Sequence, residues 1–292
     1  MVLVLGVSAG ASGARAVLAH SDRPHHEPVA RCDVRRRPGT TIGEPVISAI
    51  RTLRATAVEQ SAFIGATAVT LRTGIDPDVV ESATAATTRQ HVRVVPETSA
   101  QLRYLRFTGR LPRRGSVLLY DVGSSGLAAC VADTVSGEVL AARRSAVVGG
   151  DQFDRLVQQH LAGRGIHLEQ AACRDLKEQL GFERIVTAKD PETGACQVLT
   201  NNDLAGLAAD AVAHSSTVLR SMIRESGTTP LSIVLLGGGA HTPALGSRLE
   251  ALLRIPVVMP PEPASVAGRG AVLLAAATGM PSSRRGPALS GW

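Results

Sequence analysis

The stretch S-V-L-L-Y-D-V-G-S-S-G, residues 116–126, decides the fold. An apolar strand runs to Asp121 and then into a turn bounded by Gly123 and Gly126. Glycine in such a turn lets the backbone approach an anion closely, and successive N–H groups can cradle phosphate oxygens. Two other stretches share the form: V-L-V-L-G-V-S-A-G-A-S-G-A-R at 2–15 and S-I-V-L-L-G-G-G-A-H at 232–241. One turn of this kind says little, because glycine follows strands throughout proteins. Three in one chain, about 110 residues apart, imply two related halves closing on one nucleotide.

Working outward, the chain alternates strand and helix patterns. Residues 1–20 read as a strand–turn–strand hairpin, and 21–45 as loops with one short strand. Glu44–Glu59 repeats apolar residues at a helical period, Ser61–Leu71 is an apolar strand, and Asp76–Gln90 is a helix with Pro77 in its first turn. A strand is predicted at His91–Pro96 and a helix at Glu97–Arg106. After the 116–126 stretch come strands at Leu127–Asp133 and Val139–Val147 and helices at Asp151–Arg164 and Leu168–Leu180. Ile185–Leu199 reads as a hairpin, Asp203–Glu225 as one long helix, and Ala244–Leu253 as another helix. A strand at Pro256–Met259 and a helix over about 265–278 complete the pattern, and the Pro/Gly/Ser/Arg-rich tail 281–292 reads as disordered. Mixed strands and helices with ligand turns at strand ends define an α/β fold.

Composition narrows the function. At 292 residues the chain can bury a large core, and with 2% aromatic residues that core is built from Ala, Val and Leu. The formal charge is +6, but Lys177 and Lys189 are the only lysines, and no aromatic residues interleave the arginines for base stacking. No nucleic-acid partner is expected. Cys32, Cys130, Cys173 and Cys196 form no C-x-x-C pair and read as free thiols in a reducing compartment, which predicts a cytoplasmic protein. The apolar N-terminus lacks a cationic leader region, and the longest late apolar run, Ala271–Ala277, is too short to span a bilayer. His25-His26 has no third ligand at metal-binding spacing.

Taken in order, the motifs resemble the nucleotide-binding domain of DnaK-type heat-shock chaperones, within the actin-like ATPase superfamily. The first phosphate turn of that family, D-L-G-T-T, is matched by Ser8-Ala-Gly10-Ala11-Ser12, and N-E-P-T-A-A-A by Pro96–Leu102. F-D-L-G-G-G-T is matched by Tyr120–Gly126, and G-G-x-x-F-D in full by Gly149–Asp154. A-K-x-x-L-S corresponds to Leu176–Gly181, V-G-G-S-T-R-I-P to Leu236–Pro243, and P-x-x-A-V-A-x-G-A-A to Pro261–Ala271. The resemblance runs from residue 1 to about 280 and is strongest after Val92.

The resemblance implies a two-lobed actin-like ATPase (ribonuclease-H-like) fold with a reduced small N-terminal subdomain, because only about 40 residues, 21–60, separate the first hairpin from the strand at Ser61. It places the first lobe at 1–115 and the second at 116–280, with a small subdomain at about 151–202 and a final helix returning to the first lobe. It implies ATP or ADP in a cleft, with phosphates at Gly10, Ala11, Ser12, Gly123, Ser124 and Ser125, and adenosine at Gly238, Gly239 and His241 with Lys177 opposite. Asp121 would hold Mg²⁺ and Glu97 would orient the attacking water. Plainer readings stand beside these. Asp121 could cap its turn, Glu97 could be an ordinary acid at a helix N-terminus, and Lys177 and His241 could lie on solvated surfaces.

The departures matter equally. The family's first-turn aspartate is Ser8, the threonine of its second phosphate loop is Gly126, and its catalytic lysine has no counterpart. Its substrate-binding domain would begin near residue 285 and is not expected here. These changes predict nucleotide binding with weak or no hydrolysis. The alternative is a degenerate pseudo-ATPase that acts as an interaction or regulatory module for an unidentified protein partner in cell-envelope or division machinery.

Overall fold

The structure, a computed structural model, describes residues 1–72, 75–85 and 92–279. The end of the helix expected over Asp76–Gln90, and the tail at 281–292, lie outside the described residues. The chain forms two compact units, Met1–Tyr104 together with the chain from Ala267 onward, and Leu105–Val266.

The first unit opens with β1 (Val2–Gly10), β2 (Gly13–His20) and β3 (Ala30–Arg35), followed by α1 (Gly43–Glu59) and β4 (Phe63–Leu71). Then come α2 (Pro77–Ala85), β5 (Val92–Pro96) and α3 (Glu97–Phe107), whose last three residues belong to the second unit. The second unit contains β6 (Ser116–Val122), β7 (Leu127–Asp133), β8 (Val139–Ser145), α4 (Gly150–Ala162) and α5 (Gln170–Gln179). It continues through β9 (Ile185–Lys189), β10 (Cys196–Thr200), α6 (Asn201–Leu207) and α7 (Ala209–Glu225). β11 (Ile233–Leu236), a 3₁₀ turn (Gly238–His241), α8 (Leu245–Leu253) and β12 (Val257–Val258) close it, and α9 (Val266–Gly279) runs into the first unit.

The two large sheets repeat one plan. The first has the order β3-β2-β1-β4-β5 and the second β8-β7-β6-β11-β12. In each, a three-strand antiparallel meander is followed by two parallel strands. Strand alternation explains how the first sheet is covered. Leu3, Leu5, Val7 and Ala9 pack with Val46, Ala49, Ile50 and Leu53 of α1. The other face presents Val4 and Ala68 to Ala271, Val272 and Ala275 of α9. Gly6 is needed on that face, because a Cβ there would lie 2.3 Å from Gly268 O and 2.5 Å from Val272 N. Each fully buried Val, Leu or Ile contributes about 1.5–3 kcal/mol of burial.

In the second sheet, Leu118, Tyr120 and Val122 pack with Val212 and Leu219 of α7 and with Leu245 and Leu249 of α8. The Tyr120 hydroxyl pairs with Ser215 Oγ at 3.0 Å, and burial pushes its phenol up to about 12, so it stays neutral. A small cluster joins α4, α5 and α6 to the β9–β10 hairpin through Val157, Leu161, Cys173, Val186, Leu199 and Leu204.

Local chemistry moved one boundary. The expected helix Asp203–Glu225 is two helices, broken at Ala208. Thr200 starts the first of them early through a capping box with Asp203, and Gly206 lowers helix propensity just before the break. Among the described residues, no helix is long and apolar enough to cross a membrane.

Candidate functional site

In the second unit, the C-terminal ends of parallel β6 and β11 carry two glycine turns. Asp121 pairs in register with Leu236, so both chains leave the sheet side by side. The β6–β7 turn is closed by Gly123 N–H donating to Gly126 O at 2.9 Å, with Ser124 and Ser125 at its tip. The β11 turn is pressed against β6. Gly237 has φ +80, and a Cβ there would lie 2.4 Å from both Asp121 Oδ1 and Val122 O. A Cβ on Gly239 would lie 2.3 Å from Val122 Cγ1. Glycine at these positions is what allows the β11 turn to lie against the end of β6. The buried Asp121 carboxylate therefore lies against Gly237, on the strand that leads into the Gly123–Gly126 turn. Gly237 lies in the quoted Leu236–Pro243 motif but not among the expected site residues, and its close packing on Asp121 appears only in the structure.

α4 is seated on the first turn. Its leading N–H groups at Gly150 and Asp151 donate to Gly123 O at 2.9 Å and Ser124 O at 2.8 Å. Lys177, on α5, donates from Nζ to Gly150 O at 3.0 Å and pairs with the fully buried Asp154 at 2.5 Å. Arg174 completes the network, with Nε 3.1 Å from Asp154 and Nη2 3.1 Å from Asp151. The ammonium of Lys177 thus links α5 to the first turns of α4. Helical spacing accounts for Arg174 and Lys177 sharing a face, but nothing local in the sequence points to their common partner.

His241 lies at the end of the 3₁₀ turn, and its ring is 4.9 Å from that of Phe182, tilted by 40°. Phe182 is 79% exposed, which is unusual for so large an apolar side chain. A planar ligand reaching His241 would meet this second ring as well. Phe182 follows the Leu176–Gly181 stretch directly and was legible only as the residue after a helix stop.

In the first unit, Gly10 and Gly13 pair across the β1–β2 hairpin, with Ala11 and Ser12 as its two tip residues. Ser12 O accepts the Arg36 N–H at 2.8 Å, which fixes the tip to the end of β3. Glu97, the first residue of α3, is buried and accepts hydrogen bonds from Ser8 Oγ at 3.4 Å and Arg72 Nε at 3.0 Å. The Arg72 and Glu97 side chains are only 10% and 9% exposed. A carboxylate at a helix N-terminus is favoured by the dipole, and this one is also held by a guanidinium. Arg72 directly follows an apolar strand, and no motif marked it. Among the described residues, no group of three or more His, Cys, Asp or Glu side chains is placed to hold a metal ion.

These features define the fold class as that of the actin-like ATPases. The chain matches the crystal structure of MreB5 of Spiroplasma citri bound to ADP with a TM-score of 0.72, over 95% of this chain and 97% of that one, at 12% identity. In sequence it is 28% identical over 182 residues to a chaperone protein HscA homolog of Shewanella putrefaciens, covering 56% of this chain and 29% of that protein. It is 27% identical over 180 residues to the HscA homolog of Burkholderia cenocepacia, again covering 29% of the relative. The chain thus spans less than a third of the length of the curated relatives it matches. No family model matches it.

Proposed function

We propose that this chain is a DnaK-like nucleotide-binding protein that takes ATP or ADP and hydrolyses ATP weakly or not at all. The observation that carries this is the pair of glycine turns at the carboxyl ends of β6 and β11, with Gly237 of the second pressed against buried Asp121. Ligands of open α/β sheets bind outside the carboxyl ends of the strands. The Gly123–Gly126 turn offers backbone donors and two serine hydroxyls to phosphate oxygens, with Gly10–Ser12 as the corresponding turn of the first unit. The Gly238–His241 turn, with its His241–Phe182 ring pair, supplies an apolar planar surface for a base. Asp121 suits Mg²⁺, which is commonly held by one carboxylate together with substrate phosphates and water. The HscA relatives and the ADP-bound MreB5 structure support the same reading.

Weak turnover follows from the residues that would carry the chemistry. Ser8 supplies no carboxylate, and Glu97 is engaged by Arg72 rather than being open to a water. Loss of a charge-stabilising group in such sites costs roughly 100-fold or more, without simple additivity. Calorimetric titration with ADP and with ATP–Mg²⁺ tests the proposal. Micromolar binding that Gly238→Glu abolishes supports it, and undiminished binding by that variant refutes the assigned site. Steady-state ATP turnover should fall well below that of an ordinary chaperone ATPase domain, and Ser8→Asp alone should not restore it. The second reading, a pseudo-ATPase serving as an interaction module in envelope or division machinery, draws on the MreB5 likeness and on the Arg72–Glu97 pair. It is favoured if neither nucleotide binds.

A further inference from the structure

The opposite end of the second unit carries a surface that the nucleotide reading does not use. β6 begins there at Ser116, and five residue steps of strand place this end roughly 17 Å from Asp121. Three large apolar side chains stand out into solvent at this end: Phe107 at 50% exposure, Val135 at 61% and Leu231 at 55%. The segments that carry them are tied together by hydrogen bonds. Arg106, next to Phe107, donates to Thr134 O at 2.7 Å, and Thr134 donates through its hydroxyl to Gly115 O at 2.9 Å. Leu231 N–H bonds Ser116 O at 2.9 Å.

The same segment holds Arg106, Arg110, Arg113 and Arg114, all exposed, within nine residues that contain no acid. Asp133 and Glu138 are the acidic residues of the adjoining turn. The Asp133 carboxylate is partly exposed; it accepts the N–H groups of Val135 and Ser136 and the Ser136 hydroxyl, and of the four arginines it interacts electrostatically with Arg106. The patch therefore combines an excess of guanidinium charge, four arginines against two acids, with exposed apolar side chains on neighbouring segments.

We infer that this end of the second unit is a peripheral docking surface for an anionic lipid bilayer. Exposed arginines attract a negatively charged headgroup layer, and apolar side chains among them gain by entering the interface. A nucleic acid would satisfy the arginines and leave Val135 and Leu231 in water. A bilayer accounts for both halves of the patch.

The test uses the 292-residue chain with sedimenting vesicles of phosphatidylglycerol and phosphatidylcholine in equal parts, and with phosphatidylcholine alone. The chain should pellet with the first and not the second. Arg110→Ser/Arg113→Ser/Arg114→Ser should weaken partitioning by roughly 100-fold, from the usual contribution per basic residue near an anionic surface. Phe107→Ser/Val135→Ser should abolish the binding that survives 0.5 M salt. All five positions are exposed, and an unchanged circular dichroism spectrum confirms that each variant is folded. Failure to pellet with anionic vesicles overturns the inference. So does equal pelleting by the triple arginine variant. Binding to duplex DNA or RNA without vesicle binding overturns it in favour of a nucleic-acid surface. None of these outcomes depends on whether nucleotide binds.

Discussion

Replacing Arg72 by methionine should destabilise the first unit far more than an ordinary surface change. The guanidinium is 10% exposed and the Glu97 carboxylate 9%, so solvent screens their attraction little. Methionine keeps most of the stem's packing and removes the charge. Glu97 then remains buried without its cation, a situation that typically costs about 3–5 kcal/mol. Glu97→Gln should cost less, because an amide can still accept from Ser8 and Arg72 and carries no charge to desolvate. The double variant should recover much of the loss, because the stranded charge is then absent. A coupling energy of about 2 kcal/mol or more is expected from the cycle. The assay is hydrogen exchange read by mass spectrometry on peptides covering β4 and α3, which reports local opening rather than a single global transition. Additive effects, with coupling below about 0.5 kcal/mol, would refute the claim that the two groups form one buried unit.

Gly237→Ala should lower nucleotide affinity and stability together, since a Cβ would meet Asp121 Oδ1 and Val122 O at 2.4 Å on a backbone with φ +80; calorimetric ADP titration and a thermal melt measure both. Asp190 is held down to about 2 by the N–H groups of His167, Thr193 and Glu192. Its contribution should be complete above about pH 4 and disappear as pH falls through 2, so Asp190→Asn should weaken β9–β10 amide protection at pH 6 and flatten its loss in acid. Burial pushes the Cys173 thiol up, whereas Cys196 is exposed. An alkylating reagent at neutral pH should therefore modify Cys196 rapidly and Cys173 only on unfolding, as peptide mass mapping would show.

The sequence by itself determined the elements and the fold class, because both rest on short-range periodicity and on glycine chemistry. Apolar runs at 2–10 and 116–122, the helical period in 44–59 and the glycine turns after Asp121 and Leu236 can each be read within some fifteen residues. Their order then leaves few topologies open. Where such a window held two signals it misled, as at 203–225, where Thr200 and Gly206 divide one expected helix. The tertiary structure decided which side chains meet. Arg72 and Glu97 are 25 residues apart, and Lys177 and Gly150 are 27 apart. Phe182 reaches His241 from another element, and Gly237 is pressed on Asp121 from a neighbouring strand. These pairings depend on sheet register and helix placement, which no local pattern encodes. A charged side chain's chemistry is set by the partner that folding brings to it.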